Sequence, residues 1–274
     1  MVTRNKNEGE HSPPREVVEA CAILLDRAAD AESLSNDDKE GVYEGVIAEA
    51  RTLPPTHILA AVDAAVRARK RRKHYTLLIL GSFADFPDVT ERLRETLSSS
   101  DEQQRADALQ LIGIHRLRTL APLLAPVILS DTNQFCRMSA IHAAGILHDP
   151  VNLPAILEVA QQPSSDLDWS IVWALKQFAT PECEPFLRLY YDAEREKSHR
   201  IVAAWGLSKL GDTNAHSYLI AMLDDPVVHL PHMHDPGQSL RAAQAICDIH
   251  GWPFKWDRDY VAATKKRIKR AGLF

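Results

Sequence analysis

The sequence predicts an all-α fold, a right-handed α-solenoid (an α/α superhelix) of about six helical hairpins. Three observations support this prediction. Glycines recur every 32 residues, at Gly81, Gly113 and Gly145, and a fixed period of this length is typical of a chain that stacks copies of one short unit. Apolar residues three or four apart precede each glycine and so share one helical face. Polar links rich in Ser and Asp separate successive units.

The first helix of each unit carries an apolar stripe with a small residue inside it, where a neighbouring helix can come close. Gln177 and Gly211 hold the later anchor positions. The residue before the anchor is apolar in every unit except at Lys176. We expect each anchor glycine to end its helix, because glycine tolerates positive φ.

A second helix follows in each unit, after a turn that often contains Asp or Pro. The apolar segments that predict these second helices are 120–129, 153–159, 186–191 and 218–223. Polar links such as 98–101 and 130–133 then start the next first helix, as helix-stop and helix-start residues do. Each unit is therefore helix, turn, helix and polar cap.

Three stretches match one another most closely along the chain. They are 105–113, 137–145 and 203–211. Arg105 and Arg137 stand eight residues before their glycines, whereas Trp169 and Ala203 replace the arginine in later units. This pattern resembles the HEAT repeat, in the short form of phycobilin-lyase-like and bacterial HEAT proteins, over about residues 69–260. The resemblance implies the fold and a binding role, since the family is used mostly for binding.

The two ends of the chain fit the repeat less well. We expect residues 1–13 to be a disordered tail, because they are polar and lack the apolar core of a signal peptide. Residues 14–68 predict three helices, an N-terminal cap plus one degenerate repeat, since a terminal unit must turn one face to water. Residues 69–274 hold the HEAT-like repeats, closed by a basic amphipathic helix over 259–269.

Composition indicates a soluble globular protein. Hydrophobic residues make up 45% of the 274 residues and charged residues 25%. No apolar run of 18 residues predicts a membrane span, and a net charge of -5 disfavours nucleic acid as the main partner. We predict a cytoplasmic monomer without cofactor or metal. The cysteines are widely spaced, and we expect them to be reduced and buried: Cys21, Cys136, Cys183 and Cys247.

The strongest local charge is a basic cluster, six cations within seven residues. Its members are Arg67, Arg69, Lys70, Arg71, Arg72 and Lys73. Such a cluster can bind the phosphates of a nucleic acid, and DNA glycosylases built on HEAT-like repeats use a basic concave face. The alternative is a solvated junction between two helices, with cations favoured near a helix C-terminus.

A longer step between units places an insertion at 227–237, and insertions in repeats form loops on one face, often the binding face. His229, His232 and His234 lie in this loop with Asp235. Imidazole and carboxylate groups are ligands of zinc and other transition metals, but no second set of ligands at a recognised spacing accompanies them. We predict a surface loop without metal, whose histidines contact a partner.

Aromatic and arginine residues are the remaining candidates for contact. Trp169 and Trp173 lie four apart on one predicted helix. Trp173 occupies a core position of the repeat, so we expect it to pack, whereas Trp169 is the better contact candidate. On the predicted second helices, which we expect to line the concave side, Arg188 and Tyr191 are the favoured contacts.

No catalytic motif is present: the sequence has no GxSxG, no phosphate loop and no HExxH. It also has no His-Glu dipeptide, which excludes the iron-dependent hydroxylases built from HEAT units. We predict a non-catalytic scaffold or adaptor that binds a partner protein on its concave face. A bacterial adaptor and a toxin-neutralising immunity protein both fit.

Two enzyme readings stay open as alternatives. One is a HEAT-like alkylpurine DNA glycosylase, in which the basic cluster and the tryptophans would share one face. Asp166 and Asp168 lie near those tryptophans, but their positions are those of helix N-caps. The other is a chromophore lyase, which would need a phycobilin partner.

Overall fold

The computed structural model describes most of the chain. The described ranges are 13–34, 36–68, 76–83, 86–162, 166–192, 196–225, 237–255 and 259–273. These ranges form helices and turns without a β-strand, which confirms the all-α class. No helix within them has the length and apolar character needed to cross a membrane. The chain divides into two compact units, residues 1–120 and residues 121–274.

The first unit begins with the three helices predicted for the N-terminal segment. Its helices are α1 (Arg15–Asp30), α2 (Asn36–Ala50), α3 (Pro55–Ala68), α4 (Thr76–Gly81), α5 (Pro87–Thr96) and α6 (Glu102–Ile114). Helix α1 packs on α2 and α3 through a buried stripe that includes Cys21, Leu24 and Leu25. Arg92 of α5 makes two hydrogen bonds to Asp63 of α3, at 2.8 and 2.7 Å.

The second unit is a series of helical hairpins, as the period predicts. Its helices are α7 (Leu124–Ser130), α8 (Gln134–Leu147), α9 (Leu153–Ala160), α10 (Asp168–Phe178), α11 (Glu184–Asp192), α12 (Lys197–Lys209), α13 (Thr213–Met222), α14 (Gln238–Ile249) and α15 (Asp259–Ala271). The first helices of the hairpins, α8, α10, α12 and α14, pack side by side in that order, and we call them the first row. Helices α9, α11 and α13 pack against that row and form the second row. This series confirms the solenoid architecture.

Glycine allows the first row to pack closely. A Cβ added at Gly145 of α8 would lie 2.7 Å from the ring of Trp173 in α10. A Cβ added at Gly206 of α12 would lie 2.8 Å from Leu187 and 3.2 Å from the Cα of Lys176. A methyl group at Gly145 would push the Trp173 ring aside, and one at Gly206 would shift the Leu187 side chain and press on the backbone of α10.

The expectation that the anchor glycines end the first helices is wrong for Gly145. Helix α8 continues past it to Leu147, and His148 takes the left-handed conformation at φ 52°. Helix α10 ends in the same way at Ala179, with φ 42°. Only Gly211, after α12, has the expected positive φ, at 93°. The anchor glycine at α8 therefore serves helix contact rather than helix termination.

An arginine four residues after the N-cap ties first helices to the helix before them. Arg137 follows the N-cap Asn133 and donates from Nε to the carbonyl of Ile128 at 2.9 Å. Arg200 follows the N-cap Glu196 and donates from Nε to the carbonyl of Tyr191 at 3.1 Å. A guanidinium so placed satisfies a carbonyl near a helix C-terminus.

The prediction that Ala203 and Trp169 replace this arginine is therefore wrong. Arg200 holds the position in α12, and Ile171 holds it in α10, four residues after Leu167. The position of the arginine is fixed relative to the start of each first helix and not relative to the anchor near its end. The two reference points disagree because the first helices differ in length, with 14 residues in α8, 11 in α10 and 13 in α12.

We expect Gly145→Ala to lower the free energy of unfolding by about 1–3 kcal/mol, because overpacking forces the rigid Trp173 ring to shift. Gly41→Ala is the matched control, since a Cβ there meets nothing within 4 Å. An exposed glycine inside a helix gains about 0.5–1 kcal/mol on replacement by alanine. Urea unfolding followed by circular dichroism measures both. Equal stability of Gly145→Ala and the parent protein would contradict the close packing.

We expect Arg137→Met to lower the free energy of unfolding by about 1–3 kcal/mol, because it leaves the Ile128 carbonyl without its charged donor. Arg270→Met on the exposed surface of α15 is the control and should stay within about 0.5 kcal/mol. The same urea titrations report both values. A loss no larger than that of the control would show that the arginine does not tie the helices together.

Candidate binding cavity

The first row of the second unit borders a cavity of about 730 Å³. Helices α10, α12 and α14 supply its walls. Aromatic and charged side chains dominate them: Trp169, Trp173, Lys176, Trp205, Arg241 and Asp248. The volume lies within the range of pockets that hold small molecules, about 300–1,000 Å³.

Helical spacing explains why these residues meet. Trp169, Trp173 and Lys176 are four and then three residues apart on α10, so they share one face. Arg241 and Asp248 are seven residues apart on α14 and likewise lie two turns apart on one face. Both faces point to the space beside α12.

The floor of the cavity carries a buried cation. Lys176 is only 3% exposed, and its Nζ lies 3.8 Å from the ring centroid of Trp205 and 5.4 Å from that of Trp173. Within the described ranges its ammonium group has no hydrogen bond or ion pair. Burial, with a further contribution from the charge of Lys209, lowers the pKa of Lys176 to about 8, although Asp248 acts in the opposite direction.

The nearby carboxylate is engaged by other donors. Asp248 Oδ2 accepts from Lys209 Nζ at 2.7 Å and from the indole nitrogen of Trp205 at 2.8 Å. Burial favours the neutral acid, but these two bonds and the charges of Lys209 and Lys176 outweigh it. The pKa of Asp248 therefore lies below its ordinary value. The ion pair with Lys209 leaves Lys176 without a counter-ion of its own.

The indole rings are held in place from outside the cavity. His142 stacks on Trp173, with the ring centroids 4.8 Å apart. Trp169 is half-buried and meets His199 edge to face at 5.6 Å. The guanidinium of Arg241 lies 4.8 Å from the Trp169 ring centroid, a cation–π distance. The cavity thus has rings of fixed orientation and a positive charge at both rim and floor.

The structure brings some of the predicted residues to this cavity and leaves others elsewhere. Trp169 and Trp173 both line it, so Trp173 is not purely a packing residue. Arg188 lies on α11 and pairs with Glu184 at 3.0 Å and Asp212 at 2.8 Å. Tyr191 lies on the same helix, edge to face with the ring of Tyr218. These two belong to the second row and do not line the cavity.

Several predicted residues lie outside the described ranges. They are Arg69, Lys70, Arg71, Arg72 and Lys73 of the basic cluster, and His229, His232 and His234 of the insertion. Arg67 is exposed in the last turn of α3. Among the described residues, no three His, Cys, Asp or Glu side chains group to hold a metal ion. The four cysteines are buried and form no disulfide.

The interpretation of Asp166 and Asp168 as N-caps is wrong. The N-cap of α10 is Leu167, which makes no side-chain cap. Asp168 is the first residue of the helix and is buried, where its Oδ1 accepts a hydrogen bond from the hydroxyl of Tyr190 at 2.8 Å. Tyr190 is itself only 5% exposed, so this pair serves packing and not the cavity.

Sequence reasoning missed the three charged residues of the cavity: Lys176, Arg241 and Asp248. One signal pointed to the first. Lys176 occupies the position before the anchor, where every other unit has an apolar residue. A charged residue at a position that the repeat buries must find a partner or a cavity.

A comparison with protein families matches residues 153–230 to HEAT repeats. Residues 153–230 therefore carry HEAT repeats. The matched HEAT segment covers α9 to α13 and so includes two of the three helices that line the cavity. A comparison with curated proteins gave no match. HEAT repeats commonly serve as scaffolds for protein interaction.

We expect the stability of the protein relative to Lys176→Met to rise between about pH 8 and pH 10.5. Below pH 8 the lysine is protonated in both states, and the folded state bears the full cost of the buried charge. At higher pH the folded state has released the proton while the unfolded chain still binds it. By linkage the gain is on the order of 3 kcal/mol.

Urea unfolding of the parent protein and Lys176→Met at pH 7 and pH 10 measures this change. At pH 7 the variant should be the more stable protein. Lys266→Met, an exposed residue of α15, is the control, and its difference from the parent should not vary with pH. A constant difference for Lys176→Met would contradict the buried, uncompensated charge.

Proposed function

We propose that this HEAT-repeat protein is a non-catalytic scaffold or adaptor that binds a partner protein on the first row, with the cavity as its anchor point. The observation that supports this most strongly is the convergence of Trp169, Trp205 and Arg241 on one open cavity. Tryptophan and arginine are enriched among the residues that dominate binding energy at protein interfaces. HEAT repeats commonly serve protein interaction, which supports the same proposal.

The rigidity of the cavity favours binding. His142 holds the ring of Trp173 by stacking, and Asp248 holds the indole nitrogen of Trp205 by a hydrogen bond. Binding then orders few side chains, so little of the interaction energy is lost as entropy. Trp169 and Arg241 are half-buried at the rim, where a partner can cover their remaining surface.

The state of Asp248 supports a binding role over a catalytic one. A general base works best with a pKa near the working pH. Burial raises the pKa of Asp248, but the hydrogen bonds that its Oδ2 accepts from Lys209 and Trp205 hold it below its ordinary value. It serves the cavity by fixing Trp205 and Lys209.

The test is affinity capture from the native host with the parent protein, Trp169→Ala and Tyr191→Ala, followed by mass spectrometry. Tyr191→Ala is the matched control, because it removes an aromatic ring from the second row. We expect one captured protein to be retained by Tyr191→Ala and lost, with at least tenfold weaker binding, by Trp169→Ala. Circular dichroism confirms that both variants are folded.

Two outcomes would contradict the proposal. Loss of the partner with Tyr191→Ala but not with Trp169→Ala would place the interface on the second row. If no captured protein depends on Trp169, the cavity does not anchor a partner. If a partner is captured as expected, its nature separates the two roles, since an immunity protein captures a toxin and an adaptor does not.

The second candidate is an enzyme that removes alkylated bases from DNA. The three indoles around one cavity favour it, because an extruded base can stack on aromatic rings. Lys176 opposes it, since many alkylated purines are cations and its ammonium would repel them. We expect no base release from alkylated DNA. Release that Trp169→Ala abolishes, with DNA binding that weakens steeply with salt, would favour the enzyme.

A further inference from the structure

The floor of the cavity holds a positive charge that the described residues compensate only in part. Lys176 is 3% exposed, lines the cavity and forms no ion pair or hydrogen bond there. A buried charge without a partner is costly. The contact with the Trp205 ring, at 3.8 Å, offsets part of this cost, but it supplies no negative charge.

We propose that the cavity binds a planar aromatic anion, whose carboxylate or phosphate meets Lys176 and whose ring lies against the indoles. This inference rests on the proposed function only in that the same cavity is the binding site. The anion is either a free small molecule or an aromatic, acidic group of the partner protein.

The charge of the cavity selects an anion. Among the described residues, Lys176 and Lys209 bring two positive charges to the cavity and its border, and Asp248 brings one negative charge. The carboxylate of Asp248 is already engaged, 2.7 Å from Lys209 Nζ and 2.8 Å from the indole nitrogen of Trp205. The local balance is thus positive on a chain whose net charge is -5. A carboxylate or phosphate oxygen would give the Lys176 ammonium the charged hydrogen-bond acceptor that it lacks.

The aromatic lining and the volume of the cavity favour a ligand with a flat ring. Lys176 Nζ lies close to two indole rings, 3.8 Å from the centroid of Trp205 and 5.4 Å from that of Trp173. An anionic group on this ammonium therefore places the rest of the ligand beside aromatic faces, where rings stack. A volume of about 730 Å³ exceeds what an inorganic ion fills and suits a ring system with substituents.

Isothermal titration calorimetry at pH 7 tests the proposal with probes that share one ring and differ in charge. The probes are 2-naphthoate, 2-naphthyl phosphate, neutral 2-naphthylmethanol and cationic 2-naphthylmethylamine. We expect at least one anion to bind tenfold or more tighter than the alcohol, and the amine to bind most weakly. Lys176→Met should reduce the preference for the anion to less than threefold. It should keep the affinity for the alcohol, since methionine preserves the length of the side chain.

Two further variants test whether binding of the probes depends on the cavity. Lys266→Met, a surface change on α15, should behave as the parent protein. Trp169→Ala should weaken the anions and the alcohol together, because it removes one of the three indoles that line the cavity and leaves the floor charge. Equal affinities for all the probes, no binding by any of them, or an anion preference that survives Lys176→Met would overturn the proposal.

The outcomes separate this inference from the proposed function. If a partner is captured through Trp169 but no anion is preferred, the scaffold function stands and the anion site fails. If anions bind through Lys176 but no protein is captured, the anion site stands and the scaffold function fails. When both succeed, displacement of the partner by the bound anion shows that the partner supplies the anionic group, and simultaneous binding shows a free ligand. Both results agree with the proposal.

Discussion

The close approach of α8 and α12 to α10 is the constraint on which the second unit depends. Gly145 lies against Trp173 on one side of α10, and Gly206 lies against the backbone of Lys176 on the other. A methyl group at Gly145 would collide with the Trp173 ring, and one at Gly206 would crowd the backbone of Lys176. Helix α10 is therefore held between two glycines, which limits its rotation about its own axis. The direction in which Trp169, Trp173 and Lys176 point follows from this constraint.

The same packing explains why a lysine is buried in a repeat that elsewhere buries leucine, isoleucine or alanine. At that position the second unit forms a cavity beside α12 and α14 instead of a closed core. The ammonium of Lys176 lies at its floor against Trp205. Asp248 compensates it only in part, because its Oδ2 already pairs with Lys209 and accepts from Trp205. Natural proteins tolerate such a partly compensated charge mainly where it serves a function.

Much of the fold could be predicted from the period of the sequence. The anchor positions, the polar caps and the apolar stripes indicated stacked hairpins, and Asp101, Asn133 and Asp212 do cap α6, α8 and α13 with their side chains. The exact helix ends and the position of the arginine within each helix could not be predicted. Helix α8 ends at its C-cap His148 and not at Gly145. The repeat arginine of α12 lies at a fixed distance from the start of the helix, whereas the sequence pattern measures distance from the anchor near its end.

The site could be predicted only in part. The spacing of Trp169 and Trp173 on one helix is visible in the sequence, and Lys176 breaks the apolar pattern of the repeat. Asp248 and Arg241 were not predictable, because α14 follows a longer step in which the register of the repeat is lost. Their roles also depend on pairings between helices, such as that of Asp248 with Trp205 across 43 residues of chain, which no local pattern records.

The buried charge of Lys176 is tested most directly by an NMR titration of the protein labelled with ¹³C at the lysine Cε atoms, with Lys176→Met used to assign the resonance. We expect Lys176 to titrate near pH 8, well below the ordinary lysine value of about 10.4. If Lys176 instead titrates at the ordinary value, its ammonium is solvated or paired and the cavity has no buried charge to satisfy.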